Sequence, residues 1–189
     1  FFSNFNFFHI LFFPTFAKNE FSYYLFTSIE NQIFQNMIAQ ELLNPKSIVV
    51  VGASGDTHKP GGSVLKNLIN SNFKGEIYTV NPKETEVQGI KCFAKVDDLP
   101  QVDCAIIAIA AKYCPATVNT LAFEKGTKGF IIVSAGFGEE NEQGAEFERQ
   151  IVETVNKVGG SLIGPNCTGF LNRNYCGAFD APIPTLDPH

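Results

Sequence analysis

Residues 47–62 have the sequence SIVVVGASGDTHKPGG. The run over 47–51, which is β-branched at 48–51, is typical of a strand that is buried on both faces of a parallel sheet. A glycine-rich turn over 52–55 follows, and Pro60 stands where a helix begins, since proline is tolerated in the first helical turn. This order of strand, glycine-rich turn and helix predicts the first βα unit of an α/β fold.

The body of the chain repeats this alternation of apolar runs with segments of helical periodicity. Right-handed crossovers between such units predict a doubly wound parallel sheet with helices on both faces, which is a Rossmann-like fold. The further strands are expected at 76–80, 103–109, 130–133 and 161–163, and the helices from Pro60 to Gly75, from Pro115 to Gly126 and over about 139–158.

Composition divides the chain at Met37, because 11 of the 19 Phe lie in residues 1–36. This segment lacks the basic region of a signal peptide and the Arg of a transit peptide. We expect 1–36 to be an extension outside the domain, either disordered or not native; an N-terminal anchor is the alternative. The folded domain is expected over 37–170. After it, 171–189 is predicted to be a proline-rich loop or linker toward a second domain that is missing from this chain.

Charge and composition argue against several classes of function. The formal net charge of −5 and the sequence pI of about 5.2 argue against a nucleic-acid partner. The body has no apolar run of ~18 residues, so a membrane span is not expected. Five cysteines, an odd number without a CxxC pair, support neither a disulfide framework nor a zinc site. We expect a cytoplasmic protein with reduced thiols and no bound metal.

The glycine-rich turn predicts a phosphate site. Glycines let the backbone approach a phosphate, and the exposed N–H groups at the start of the helix bind it. The spacing of Gly52, Gly55 and the pair at 61–62 differs from the GxGxxG fingerprint. A tight βα turn without a ligand is therefore the alternative interpretation.

The end of the second strand separates two classes of nucleotide. Folds that bind NAD place a carboxylate there, about 20 residues after the glycines, to hold the ribose 2′-hydroxyl. Here residues 81–83 are Asn-Pro-Lys. Lys83 attracts a phosphorylated ribose, which a carboxylate would repel. CoA, with its 3′-phosphate, and NADP, with its 2′-phosphate, both satisfy this pattern, and NAD does not. A solvated turn lysine is the alternative.

Two further loops follow predicted strands at the same edge of the sheet, where doubly wound folds build their sites. Residues 134–139 are Ser-Ala-Gly-Phe-Gly-Glu, and residues 164–167 are Gly-Pro-Asn-Cys. Gly136 again allows close backbone approach, and Asn166 offers both a donor and an acceptor.

In order, these motifs resemble the N-terminal CoA-binding domain of NDP-forming (ADP-forming) acyl-CoA synthetases, the superfamily of the succinyl-CoA synthetase alpha subunit. The resemblance covers about residues 38–189, and the Gly-Pro-Asn-Cys turn is its most specific part. The matching segments lie at 44–47, 51–54, 80–83, 102–103, 134–137 and 164–167.

The resemblance implies where coenzyme A is bound. The cofactor is expected to lie across the glycine loop over 54–57, with Lys83 near its phosphorylated ribose. Residues 134–136 are expected to line the path of the pantetheine arm, with Asn166 near the acyl or phosphoryl group. The expected cofactor-binding residues are Gly52, Ser54, Gly55, Asp56, Thr57, Lys83, Ser134, Ala135, Gly136 and Asn166.

Such enzymes interconvert acyl-CoA, ADP and phosphate with free acid, CoA and ATP, through a phosphorylated histidine and an ATP-grasp module. None of His9, His58 and His189 matches that histidine motif, so no catalytic residue is assigned. We expect a fragment that binds CoA and acyl-CoA without turnover. Its expected partners are further domains or a beta-type ATP-grasp subunit, where ADP and ATP bind.

Two other functions stay open. One is a stand-alone or acetyltransferase-fused CoA-binding regulatory module. The other is an NADP-binding oxidoreductase domain, which the lysine after the second strand allows.

Overall fold

The computed structural model describes residues 38–71 and 73–179. The predicted extension over 1–36, the two histidines His9 and His189, and residues 180–189 of the predicted linker lie outside the described residues.

Helices and strands alternate over most of the described chain. The helices are α1 (Gln40–Leu43), α2 (Pro60–Asn70), α3 (Cys114–Glu124) and α4 (Glu142–Lys157). The strands are β1 (Ser47–Val51), β2 (Glu76–Val80), β3 (Glu86–Val87), β4 (Ile90–Phe93), β5 (Cys104–Ile107), β6 (Gly129–Ile132), β7 (Ser161–Ile163), β8 (Gly169–Leu171) and β9 (Cys176–Ala178). Within these described segments, no helix has the length and apolar character needed to cross a membrane.

The main sheet has the strand order β3-β4-β2-β1-β5-β6-β7. All neighbours from β4 to β7 pair in parallel, and β3 pairs antiparallel with β4. The chain runs from β1 outward to β2 on one side and later returns to β5 on the other side. The predicted doubly wound α/β fold is therefore confirmed, and its topological switch point lies between β1 and β5.

The central strand β1 buries both of its faces. Ile48 and Val50 pack in the layer that contains α1 and α2. Val49 and Val51 point to the opposite layer, which contains α3 and α4. Because successive side chains of a strand alternate between its faces, this strand needs a continuous apolar run, which is what its sequence has.

The helix before β7 begins later than predicted. The periodicity suggested a start near Glu139, whereas α4 begins at Glu142. The difference comes from Asn141, whose Oδ1 accepts a hydrogen bond of 2.9 Å from the N–H of Gly144 and caps the helix there.

The predicted linker over 171–189 begins within a two-stranded antiparallel sheet that β8 and β9 form. Tyr175, between these strands, is buried, and its hydroxyl donates to the Leu42 carbonyl at 2.7 Å. The Asn67 side chain on α2 donates to the Ala178 carbonyl at 2.8 Å. Through residue 178 the predicted linker is thus part of the fold, because these contacts dock it on α1 and α2.

Candidate functional site

The predicted site residues lie on four loops that follow four parallel strands. These loops begin after β1, β2, β6 and β7, whose carboxyl ends lie at one edge of the sheet. The topology therefore brings the ten predicted residues to that edge, beside the switch point.

The glycine loop is closely packed where it leaves β1 and where it meets α2. Gly52 has φ +85°, and a Cβ there would lie 2.4 Å from the Ala108 carbonyl oxygen in the loop after β5. A Cβ on Gly62 would lie 2.0 Å from the Asp56 carbonyl oxygen. Gly55 is different, since it is exposed and a Cβ there would meet nothing within 4 Å. The loop is thus closely packed at Gly52 and Gly62 and open at Gly55.

Two of the predicted contact residues use their side chains to shape the loop. The Ser54 Oγ accepts a hydrogen bond from the Asp56 N–H at 3.1 Å. The Asp56 Oδ1 in turn accepts one from the His58 N–H at 3.0 Å. Such local bonds are typical of Ser and Asp in turns. Thr57, beside them, is half-buried.

Asn81 ties the end of β2 to the glycine loop. Its Nδ2 donates to the Ala53 carbonyl at 2.8 Å, and its Oδ1 accepts from the Lys83 N–H at 2.9 Å. Because one side chain holds both segments, the turn that carries Lys83 is fixed beside the loop. The Lys83 side chain is exposed there.

Gln88 was not singled out from the sequence, yet its side chain contacts the glycine loop. It lies at the tip of the β3–β4 hairpin, and its Nε2 donates to the Ser54 and Gly62 carbonyls, both at 2.9 Å. The Gln-Gly pair at 88–89 was the available signal for a hairpin turn, because both residues adopt positive φ. The contact itself depends on the strand order and has no local signal.

A second pair of loops meets after β6 and β7. The Asn166 N–H donates to the Ser134 carbonyl at 2.9 Å. Asn166 has φ +53° and is exposed, and it follows the Gly164–Pro165 peptide, which is cis. The structure thus brings together Ser134, which was predicted to line the pantetheine arm, and Asn166, which was predicted to lie near the acyl or phosphoryl group.

Glu139 occupies the N–H groups of the loop after β6. Its carboxylate accepts from the Gly136 N–H at 2.8 Å and from the Phe137 N–H at 3.2 Å. These hydrogen bonds, chiefly that from Gly136, hold the pKa of the Glu139 carboxyl below its usual value. Gly136 has φ +99°, which glycine adopts readily, while Ala135 beside it is exposed. Glu139 therefore belongs to this loop and not to the first turn of α4, where it was expected.

Cys167, next to Asn166, is a poor candidate for a nucleophile. Its thiol is half-buried and donates to the Ile132 carbonyl at 3.3 Å. Burial raises the pKa of the Cys167 thiol, which keeps it protonated, whereas nucleophilic cysteines are thiolates. The geometry gives no reason to assign a catalytic residue here.

Known proteins resemble this chain over the same region. Residues 46–173 match the CoA binding domain family. The ADP-forming acetate–CoA ligase II of Archaeoglobus fulgidus is 46% identical over 134 residues, which are 70% of this chain and 20% of the relative. The alpha subunit of the ADP-forming acetate–CoA ligase II of Pyrococcus furiosus is 45% identical over 132 residues, which are 69% of this chain and 28% of that subunit.

A solved structure gives the same result. The dinucleotide forming acetyl-coenzyme A synthetase 1 of Ca. Korarchaeum cryptofilum, in complex with phosphate and ADP, superposes with a TM-score of 0.71 at 34% identity. The match covers 79% of this chain and 32% of that chain. This chain thus spans less than a third of the length of each of these three relatives. Since the family match extends over more than half of its residues and includes all four site loops, the chain belongs to the CoA binding domain family.

Proposed function

We propose that this chain is the coenzyme A-binding part of an ADP-forming acyl-CoA synthetase. Coenzyme A lies with its diphosphate on the glycine loop and its 3′-phosphate beside Lys83. The observation that carries this proposal is the Asn81 side chain, which fixes the lysine turn against the Ala53 carbonyl of that loop.

The charge at this position favours a phosphorylated ribose. The positive charge of a lysine at the end of β2 attracts a ribose phosphate. Salt screens this attraction only partly when the two charges are close together. Gly55 supports the diphosphate position, because its open surface lets a ligand reach the backbone.

The contact between Ser134 and Asn166 supports a second region of the site for the pantetheine arm and the acyl end. Both loops lie at the same sheet edge as the glycine loop, so one extended ligand spans them. We assign Ser134, Ala135 and Gly136 to the arm and Asn166 to the acyl or phosphoryl group.

The complete protein would convert acyl-CoA, ADP and phosphate to acid, CoA and ATP. Its ADP and ATP, and its catalytic histidine, would belong to a further domain or an ATP-grasp subunit. The name of the Pyrococcus furiosus relative, an alpha subunit, supports such a partner. We place the protein in the cytoplasm, where buried unpaired thiols such as Cys104 and Cys114 stay reduced.

Calorimetric titration with CoA, 3′-dephospho-CoA, NADP and NAD tests the proposal. We expect CoA to bind more tightly than dephospho-CoA and both dinucleotides to bind weakly. Tight NADP binding without CoA binding would refute it and favour an oxidoreductase domain. The downstream reading frame distinguishes the regulatory alternative, since an acetyltransferase there would replace the expected histidine-bearing and ATP-grasp domains.

A further inference from the structure

We infer that Gln88 is a positioning residue for the phosphate site. Its side-chain amide holds the glycine loop in a shape whose N–H groups face the ligand. This inference rests on the proposed function, because it takes the ligand to be the diphosphate of coenzyme A.

The Gln88 amide group bridges two parts of the loop. Both of its N–H bonds are used, one on the Ser54 carbonyl and one on the Gly62 carbonyl, each at 2.9 Å. Ser54 lies in the middle of the loop, and Gly62 lies in the first turn of α2. A single half-buried side chain therefore fixes the loop relative to the helix that follows it.

Asn81 holds the neighbouring peptide in the same way. Its Nδ2 donates to the Ala53 carbonyl, so consecutive carbonyls at Ala53 and Ser54 each receive a donor from an amide side chain. Carbonyl oxygens repel a phosphate, and N–H groups attract it. The two amides thus keep two repulsive oxygens away from the crevice.

Because the peptide group is planar, holding the two carbonyls also orients the N–H groups that follow them. In a trans peptide the C=O and the following N–H point in opposite directions. When the Ala53 and Ser54 carbonyls point toward Asn81 and Gln88, the N–H groups of Ser54 and Gly55 point away from them. Gly55 is exposed and has no side chain to cover these groups.

The conformation of the hairpin tip agrees with a role for this particular side chain. Gln88 has φ +51° and Gly89 has φ +81°, in a two-residue turn between the paired residues Val87 and Ile90. Asn or Gly adopts the first position of such a turn with less strain. Asn carries the same amide one methylene shorter, so glutamine provides reach that the turn alone does not require.

The test uses Gln88→Met, which keeps the length and removes both donors, and Gln101→Met, an exposed glutamine outside the site, as its control. We expect Gln88→Met to bind CoA and dephospho-CoA about tenfold more weakly, by the same factor, because both ligands contain the diphosphate. The unfolding temperature without ligand should stay within a few degrees. CoA affinity within twofold of the wild type would overturn the inference.

A second readout does not depend on CoA. In the ligand-free protein, backbone NMR order parameters at Ser54 and Gly55 should fall in Gln88→Met from about 0.85 toward about 0.6. Gln88→Lys, whose ammonium donors reach a similar distance, should restore them. Unchanged order parameters in Gln88→Met would overturn the inference.

A third variant and the wild type complete the design. Gln88→Asn suits the positive φ but shortens the amide, so it should fold and lose affinity as Gln88→Met does. If Gln88→Asn keeps full affinity for CoA, the positioning role of Gln88 is refuted. If the wild type fails to bind CoA, the proposed function is refuted. The order parameters at Ser54 and Gly55 then decide by themselves whether Gln88 positions the loop.

Discussion

Gly55 lies in the glycine loop and Gly62 in the first turn of α2, and different constraints act on them. A Cβ on Gly62 would overlap the Asp56 carbonyl oxygen, which belongs to the backbone and cannot rotate away. A Cβ on Gly55 would point into open space. At Gly62 the protein backbone excludes a side chain. At Gly55 a side chain would enter the space that we assign to the ligand.

We predict that alanine at Gly62 lowers stability and that alanine at Gly55 lowers the affinity for CoA. Gly62→Ala should lower the free energy of unfolding by about 2 kcal/mol, because the overlap forces the backbone to shift. Gly55→Ala should change it by less than about 0.5 kcal/mol and weaken CoA binding several-fold. Urea unfolding and calorimetric titration measure both quantities. A Gly62→Ala variant as stable as the wild type would contradict the close packing of the loop.

Lys83 is expected to recognise one phosphate of the ligand. Lys83→Ala should weaken CoA about fivefold, since an exposed charge contributes up to about 1 kcal/mol, and should leave dephospho-CoA unchanged. The difference should shrink as salt is added. Lys157→Ala removes the same charge in the last turn of α4 and serves as the control. An equal loss for both ligands would mean that Lys83 does not contact the 3′-phosphate.

At the scale of elements, the β8–β9 hairpin is attached to the fold by a buried phenol. The Tyr175 hydroxyl donates to the Leu42 carbonyl, and its ring packs edge-to-face on Phe73 with centroids 6.1 Å apart. A hydroxyl removed from a buried pair leaves its acceptor without a partner.

Tyr175→Phe should therefore lower the free energy of unfolding by about 1–3 kcal/mol. The matched control is Tyr113→Phe, because Tyr113 is 57% exposed. Chemical denaturation of both variants makes the comparison. Equal stability of Tyr175→Phe and the wild type would show that the hairpin is not part of the cooperative unit.

At the scale of the whole molecule, the buried thiols make the free energy of unfolding fall as the pH becomes alkaline. Burial raises the pKa of Cys104 and of Cys114 to about 12, whereas an unfolded cysteine has a pKa of about 8.5. Below pH 8.5 both states keep the protons, and the stability is fully present. Above it the unfolded state releases protons first, so stability falls until the folded thiols ionise near pH 12.

The free energy of unfolding should accordingly decrease between pH 8.5 and 10 by up to about 1.4 kcal/mol per pH unit for each thiol. Burial also raises the pKa of Tyr175, which adds to the loss above pH 10. Urea unfolding in reductant at pH 7.5, 9 and 10 tests this. The Cys104→Ala/Cys114→Ala double variant should start less stable and show a flatter pH profile. A constant free energy in the wild type would be the contrary result.

The sequence alone determined the central architecture, because its signals are local. The run over 47–51 encodes a strand covered on both faces, and continuously buried runs recur at β5 and β6. Counting from the glycines also placed Lys83 at the end of β2, since parallel neighbours align their carboxyl ends.

The strands β3, β4, β8 and β9 were not predicted, because they pair as antiparallel hairpins and lie outside the alternation of strands with helices that identified the others. Only the tertiary structure decided which side chains hold the glycine loop. Gln88 is 34 residues from Ser54 along the chain. The two residues meet because the strand order places the β3–β4 hairpin, β2 and β1 side by side in the sheet. Hydrophobic periodicity within one segment indicates which of its faces is buried. A contact between distant segments depends on the order of the strands in the sheet, which no single segment encodes.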